Sequence, residues 1–406
     1  MKSNHIVFVP GIFGWGPGEL GDFSYWGGAL QQFDRTRFTT HWAKCGPISS
    51  FHDRACEVFA QIRGTQVNYG SAHSTAEGHE QTSRDYTGHG FITEPDWSAD
   101  NPVILIGHSA GAQTCLQLQQ LLAEDFWGAG SNENWVEAVI CVAGVLNGST
   151  LTYMFCDDKT GRLKRAPGFL IRSALDAIQA IRIAARPVHD FGGDYDLYLD
   201  QWIGKTNATS EEVLAFFENS PRFTNGADNL AFDLSLQGCL AANQTFQTQK
   251  ETYYFSLVTR ATHEAGFLGL PFGPKTQQPD KSMNLLLKGA AQFQALKPEF
   301  AEPPIPAWGT GDLAIGKWRE NDGAVSSISQ RFPFTAGAQP VRGEGIFGRE
   351  PKEIEKGQWY FEDIASITGA RFDHLDPVFG AKLKGLGIET AQATLYSKLS
   401  VLLQRL

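Results

Sequence analysis

The chain has 406 residues, enough to bury a large hydrophobic core without disulfide staples. Its 34 Lys and Arg residues are outnumbered by 44 Asp and Glu residues, which gives a formal net charge of -10 at pH 7. This balance, without any basic run, argues against nucleic acid or an anionic membrane surface as the main partner.

The first predicted element is a strand over His5–Val9, directly after a short polar start. No signal peptide precedes it, so we expect a cytoplasmic protein or the mature form of a secreted one. The longest apolar run, Ala138–Leu146, is too short to span a bilayer. The six cysteines show no CxxC pairing, and most are expected to be free thiols in the core.

A metal site is one interpretation of the segment Tyr69–His79. It places two imidazoles, His73 and His79, in a polar stretch broken by glycine. With carboxylates from elsewhere, these rings would form a closed, tetrahedral zinc site of structural type. Solvated loop histidines are the alternative. Upstream, Ser50 predicts a helix start, so Asp53 is either an N-terminal cap or a functional acid.

A nucleophile elbow is predicted at Ser109. Val103–Ile106 is the continuous apolar run of a strand buried on both faces, and an amphipathic helix follows the serine. Gly107 and Gly111 supply the small neighbours that let strand and helix approach closely, so that the hydroxyl points out of the sheet. An ordinary strand-to-helix turn with an incidental serine is the alternative.

An elbow of this kind predicts the donors of an oxyanion hole. In an α/β-hydrolase, one backbone N–H comes from the residue after the nucleophile and one from the loop after the first strand. Here these would be Ala110 and, in the glycine-rich loop Pro10–Gly16, Ile12. A plain glycine-rich turn is the alternative for that loop.

Two later stretches carry weaker signals. A run that begins at Pro167 and stops before Pro187 has apolar residues on one side and charged residues on the other, which predicts an amphipathic helix. Alone, it would be a surface helix packed on the core. Further on, Asp322 and Gly323 indicate a turn.

These motifs resemble the bacterial family I.5 lipases, which are thermoalkalophilic enzymes, and the related staphylococcal lipases. The matching stretches run in one order along essentially the whole chain. They are Phe23–Gly28, Asp53–Glu57, Tyr69–His79, Gly107–Gly111, Leu199–Trp202, Phe232–Ser235, Thr252–Ser256, Glu320–Gly323 and Phe372–Leu375.

The resemblance implies an α/β-hydrolase fold with a mostly parallel central sheet, a helical lid insertion and a small zinc-binding extra domain. We expect a single domain over residues 1–406, with the zinc-binding region at about 45–95 and the lid and helical cap at about 160–240. By position, the family's catalytic acid and base fall on Asp322 and His374, which would act on Ser109. His374 is the only histidine that follows the acid in the chain order of this fold.

The resemblance also implies a structural zinc ion that lies away from the chemistry. The family's ligands fall on Asp53, His73, His79 and Asp233. His52 stands where the family has tryptophan, so it could compete as a ligand or change the packing over the metal. The family's calcium site depends on acids just after the base, and here only Asp376 follows at shortened spacing, which argues against calcium.

The implied function is a lipase that hydrolyses acylglycerols with medium or long chains. The amphipathic run would be the lid, which covers the active site in water and turns toward a lipid–water interface, so we expect interfacial activation. Its apolar face comprises Phe169, Leu170, Ile171, Leu175, Ile178 and Ile181.

The loop and elbow also depart from the family. Ile12 replaces its phenylalanine and Ala110 its glutamine, which preserves both N–H donors but changes the pocket. A short-chain carboxylesterase or polyester hydrolase with the same triad is therefore an alternative. A lid-gated lipid-binding or acyl-transfer protein is an alternative from another class.

Overall fold

The computed structural model describes residues 3–94, 96–164, 195–206, 208–209, 212–213, 215–216, 220–266, 275–296, 318–335 and 345–406. The strands are β1 (His5–Val9), β2 (Thr39–Trp42), β3 (Gln66–Asn68), β4 (Thr82–Asp85), β5 (Val103–His108), β6 (Val136–Val142), β7 (Tyr253–Val258), β8 (Thr262–Gly266), β9 (Lys275–Pro279) and β10 (Trp359–Asp363).

The α-helices are α1 (Phe51–Arg63), α2 (Ser71–Glu77), α3 (Ala110–Ala123), α4 (Asp200–Ile203), α5 (Pro221–Asn225), α6 (Leu230–Asp233), α7 (Leu236–Thr245), α8 (Leu285–Leu296), α9 (Ile364–Thr368), α10 (Gly380–Lys384) and α11 (Leu386–Arg405). Short 3-10 helices lie at Leu30–Gln32, Glu133–Trp135, Thr150–Met154 and Pro351–Glu353.

The central sheet has six strands in the order β10-β7-β6-β5-β1-β2, and every neighbouring pair is parallel. Every residue of β5 and β6 is buried, as expected for parallel strands covered on both faces. The predicted parallel sheet is therefore confirmed. Because parallel strands point the same way, the loops after β1, β5 and β7 all leave from one edge of the sheet.

The elbow lies at this edge, where β5 ends and α3 begins. Ser109 has φ 56° and ψ -124°, a backbone conformation that a side chain rarely adopts. A Cβ at Gly107 would lie 2.3 Å from the carbonyl oxygen of Gly111, and one at Gly111 would lie 2.1 Å from that of Val9. Both glycines are required because strand and helix backbones touch here.

Gly111→Ala is expected to lower the free energy of unfolding by about 3 kcal/mol, because the added methyl group must push β1 and α3 apart. Urea unfolding of purified protein would measure the change. The control is Gly289→Ala in α8, where no atom of the described residues lies within 4 Å of the new Cβ. That change is expected to be neutral or to stabilise the helix by up to about 1 kcal/mol. Equal effects at both positions would contradict the steric argument.

The regions expected to be insertions are described in part. The segment at 45–95 contains α1 and α2 and the antiparallel pair β3–β4. The predicted lid residues Phe169, Leu170, Ile171, Leu175, Ile178 and Ile181 lie outside the described residues. In the part of the chain that is described, no helix is long and apolar enough to cross a membrane. All six cysteines are buried and unpaired.

Candidate active site and metal cluster

Ser109, His374 and Asp322 are joined by hydrogen bonds. Nε2 of His374 lies 2.8 Å from Oγ of Ser109, and Nδ1 of the same ring lies 2.8 Å from Oδ2 of Asp322. The backbone N–H of His374 also donates to the carbonyl oxygen of Asp322, at 3.0 Å. All three side chains are buried. The arrangement is that of a nucleophile, a base and an acid that orients the base.

Asp322 is surrounded by hydrogen-bond donors. Besides His374, its Oδ2 accepts from Thr259 Oγ1 at 2.6 Å and from Gln330 Nε2 at 3.0 Å. Its Oδ1 accepts from the backbone N–H groups of residues 324–325, at 2.9 and 2.8 Å. Burial opposes ionisation, but the charge and hydrogen bond of His374, with the other donors, lower the pKa of this carboxyl below its usual value. The acid is therefore a fixed anion.

A second chain of hydrogen bonds reaches the backbone of the base, His374. His108 Nε2 lies 2.9 Å from the carbonyl oxygen of His374, and its Nδ1 lies 2.6 Å from the hydroxyl of Tyr25. Burial, reinforced by His374, lowers the pKa of His108 to about 3, so its ring is neutral and carries one N–H.

That proton must be on Nε2 of His108, because a carbonyl oxygen can only accept. Nδ1 then accepts from the Tyr25 hydroxyl, whose oxygen in turn accepts from the backbone N–H of Gly11 at 2.9 Å. Tyr25 and His108 therefore connect the loop after β1 to the backbone of His374. No pattern in the sequence indicates a catalytic role for either residue.

The two predicted oxyanion donors come from the loop after β1 and from the start of α3. Ala110 is the first residue of α3, where helix geometry provides no acceptor for its N–H. Ile12 lines the cavity at Ser109. The next residue, Phe13, is held in the left-handed region at φ 55° and donates its N–H to the carbonyl of Pro47 at 3.0 Å. The roles of Ile12 and Ala110 stay predictions.

A cavity of about 320 Å³ opens at Ser109 and His374. Most of its wall is apolar. The apolar residues include Ile12, Trp15, Val145, Leu234, Leu287 and Phe379. A ligand whose reacting group meets Ser109 would therefore place an apolar portion against this wall.

A cluster of four side chains beside α1 forms a candidate metal centre: Asp53, His73, His79 and Asp228. Their ligand atoms all lie within 4.8 Å of one another. Nε2 of His73 is 3.2 Å from Oδ1 of Asp53 and 3.4 Å from Oδ1 of Asp228. Nε2 of His79 is 3.3 Å from Oδ2 of Asp228.

These residues fit a metal ion. One atom of each is buried with no hydrogen-bond partner among the described residues: Oδ1 of Asp53, Nε2 of His73, Nε2 of His79 and Oδ2 of Asp228. Each buried polar atom left unpaired costs about 1–3 kcal/mol, and one central cation would satisfy all four.

Hydrogen bonds outside the cluster hold two ligands in place. Nδ1 of His79 donates to the carbonyl of Glu80 at 2.8 Å, which leaves Nε2 as a lone-pair donor. Gln201 donates to Oδ2 of Asp53 at 2.8 Å, so Oδ1 is left to face the cluster.

The expected fourth ligand, Asp233, is replaced in this cluster by Asp228. Asp233 ends α6, and its Oδ2 accepts the backbone N–H of Phe51 at 2.5 Å, so that it caps the start of α1. Burial, with the negative charges of Asp228 and Asp53, raises the pKa of Asp233 well above its usual value. The residue neighbours the cluster without facing its centre.

His52 packs against the cluster and does not compete for it. Its ring stacks on His73 with centroids 3.9 Å apart, and its Nε2 donates to the carbonyl of Tyr69 at 2.9 Å. Of the two roles that the sequence left open, the structure shows packing.

The parallel sheet, the elbow at Ser109, and an acid and a base that follow it in chain order define an α/β-hydrolase fold with a Ser-His-Asp arrangement. Comparisons with known proteins support this assignment of the fold. The family model described as "Lipase-like, C-terminal domain" matches residues 3–134.

Lipase 2 of Staphylococcus aureus is 26% identical over 400 residues, which cover 91% of this chain and 49% of that protein. The chain therefore spans about half the length of the curated relatives that it matches.

Two solved structures are also similar. EstA from Clostridium botulinum is 27% identical with a TM-score of 0.72, over 98% of this chain and 87% of that one. Lipase 1 from Pelosinus fermentans is 26% identical with a TM-score of 0.69, over 100% of both chains. These matches confirm the resemblance to the family I.5 and staphylococcal lipases.

Proposed function

We propose that this chain is a lipase that hydrolyses carboxylic esters of acylglycerols with medium or long acyl chains. One observation carries the proposal: Ser109 and His374, which are hydrogen-bonded in a chain with Asp322, line a mostly apolar cavity. The reacting carbonyl must reach Ser109, so the acyl chain would lie against the apolar wall. The lipase names of the relatives support the same substrate class.

In the proposed reaction, His374 takes the proton of Ser109 as its oxygen attacks the ester carbonyl. The N–H groups of Ile12 and Ala110 would stabilise the oxyanion. His374 then gives the proton to the departing alcohol, and water, activated by the same ring, hydrolyses the acyl-enzyme. Asp322 remains ionised throughout and stabilises the imidazolium. We also propose that the protein acts at a lipid–water interface and that a lid opens there.

The proposed cofactor is Zn²⁺, held by Asp53, His73, His79 and Asp228. Two nitrogen and two oxygen donors match its preferences, and these four protein ligands would hold a structural ion. When bound, the ion would supply folding free energy. These residues belong to no part of the hydrogen-bonded chain at Ser109.

A fluorophosphonate probe in detergent tests the hydrolase proposal. We expect the parent protein and Ser366→Ala, an exposed control in α9, to be labelled. We expect Ser109→Ala to be unlabelled and its kcat to be lower by about 10⁴-fold or more. A parent protein that is not labelled contradicts the proposal, and labelling without turnover of any ester favours the lipid-binding or acyl-transfer alternative.

A series of 4-nitrophenyl acetate, butyrate, octanoate and laurate separates lipase from esterase. We expect kcat/KM to be maintained or to rise from butyrate to laurate, because each added CH₂ buried against the cavity wall contributes about 0.8 kcal/mol at most. A steep fall beyond butyrate would contradict the lipase proposal and favour the short-chain esterase.

A further inference from the structure

The loop that carries His374 contributes to a charged cluster that the proposed reaction does not use. Asp373 and Asp376 lie on this loop, and Lys384 ends α10. Nζ of Lys384 is 2.6 Å from Oδ2 of Asp373 and 2.7 Å from Oδ2 of Asp376. Both carboxylates are fully buried, and the lysine side chain is only 13% exposed. One ammonium thus bridges two buried anions beside the base.

The same carboxylates hold the backbone on both sides of His374. Oδ2 of Asp376 accepts the N–H of Asp373 at 2.8 Å, and Oδ1 of Asp373 accepts the N–H of Leu375 at 3.0 Å. The N–H of His374 itself donates to the carbonyl of Asp322. Three consecutive backbone N–H groups are therefore fixed, two of them by carboxylates that Lys384 bridges.

Without the ammonium, this cluster would be unstable in its present form. Burial and the charge of Asp373 raise the pKa of Asp376, and the charge and hydrogen bond of Lys384 act against that rise. Oδ1 of Asp376 is also buried with no hydrogen-bond partner among the described residues, so this carboxylate depends on Lys384 and the N–H of Asp373. When the cation between them is removed, two buried carboxylates either move apart or take up a proton.

We propose that Lys384 is a positioning residue for the ester hydrolysis: its ammonium holds Asp373 and Asp376 where they fix the backbone of His374, which aims Nε2 at Ser109. The inference rests on the proposed function. Lys384 touches no reacting atom and acts through the two aspartates. A displacement of the base by about 1 Å is enough to cost about 10²-fold in rate, so small movements of this loop are sufficient.

The test compares Lys384→Met, which keeps the alkyl length without the charge, with Lys384→Arg, which keeps the charge. Lys382→Met on the same helix is the control. On a soluble short-chain ester, we expect Lys384→Met to lower kcat by about 10- to 100-fold with little change in KM. Lys384→Arg should recover most of the loss, and Lys382→Met should behave as the parent.

Two further readouts separate positioning from stability. The rate of fluorophosphonate labelling should fall by the same factor as kcat, since both need the aligned pair of Ser109 and His374. The downfield proton resonance of the His374–Asp322 hydrogen bond should shift or broaden. A lower melting temperature with unchanged kcat and labelling rate of the folded protein would overturn the inference.

If Lys384→Met does not fold, Asp376→Asn is tested instead, since it keeps the shape of the side chain and removes one of the two negative charges that the ammonium bridges. We then expect slower labelling and lower kcat in Asp376→Asn, and parent-like rates in Lys384→Arg. Parent-like rates in Asp376→Asn would overturn the inference. Failure of the proposed function is distinct, because the parent itself would then show neither labelling nor turnover.

Discussion

Asp322→Asn is expected to lower kcat about 10⁴-fold while the protein stays folded. Among the described residues, each hydrogen-bond partner of the two carboxylate oxygens is a donor: Thr259, Gln330 and His374 on one oxygen, and the N–H groups of residues 324–325 on the other. The amide of asparagine introduces an NH₂ group, which is itself a donor. Whichever way the amide is turned, this NH₂ group faces other donors.

If the NH₂ faces His374, Nδ1 of the ring must accept and the proton moves to Nε2. The ring then cannot take the proton of Ser109. If the NH₂ faces the N–H groups of residues 324–325 instead, buried donors oppose each other at a cost of about 1–3 kcal/mol. The first orientation removes general-base catalysis, which explains the size of the expected loss.

Hydrolysis of 4-nitrophenyl butyrate and the rate of fluorophosphonate labelling would measure the effect of Asp322→Asn. The control is Asp157→Asn, since Asp157 lies in an exposed turn and its Oδ1 accepts from residues 159–160, within the same turn. That variant should match the parent in both measurements. A loss of less than about tenfold in Asp322→Asn, in folded protein, would show that Asp322 does not orient the base.

The elbow could be predicted from the sequence because its cause is local. Gly107 and Gly111 are required by contacts between the end of β5, the start of α3 and the neighbouring β1, and their spacing from Ser109 is visible in the chain. The acid and base could be placed by chain order together with the resemblance. Asp322 and His374 therefore reach the same hydrogen-bonded chain in the structure.

The supporting contacts could not be predicted because they join distant positions. Tyr25 meets His108 across 83 positions, and His108 meets the carbonyl of His374 across 266. Lys384 is close in sequence to Asp373 and Asp376. The sequence is nevertheless equally consistent with an exposed lysine at this point of a helical stretch. Only the packed fold shows which donor faces which acceptor.

The metal cluster shows the same limit within one short segment. Asp228 and Asp233 both follow the glycine at 226 and precede α7, and a pattern of residue types favours neither. The choice is made by the packing of α1. Asp233 accepts the N–H of Phe51 at the start of that helix, whereas Asp228 turns toward His73 and His79.

Asp228→Ala and Asp233→Ala should therefore differ sharply. We expect Asp228→Ala to lose bound zinc on dialysis and the parent to retain it. When free zinc exceeds the dissociation constant by about 1,000-fold, the ion contributes about 4 kcal/mol to the free energy of unfolding, and this contribution is what Asp228→Ala loses. Asp233→Ala should keep its zinc and lose about 1 kcal/mol, since it removes only a helix cap.

Elemental emission on dialysed protein and urea unfolding with and without a chelator would measure both effects. In the parent and in Asp233→Ala, the chelator should remove most of the stability that zinc supplies, whereas in Asp228→Ala it should change little. Zinc retained by Asp228→Ala and lost by Asp233→Ala would restore Asp233 as the fourth ligand.

Because Ser109, His374 and Asp322 share no hydrogen bond with the cluster, any metal-free protein that stays folded should still label at Ser109. Metal content therefore reports on the metal cluster beside α1, and labelling reports on the nucleophile.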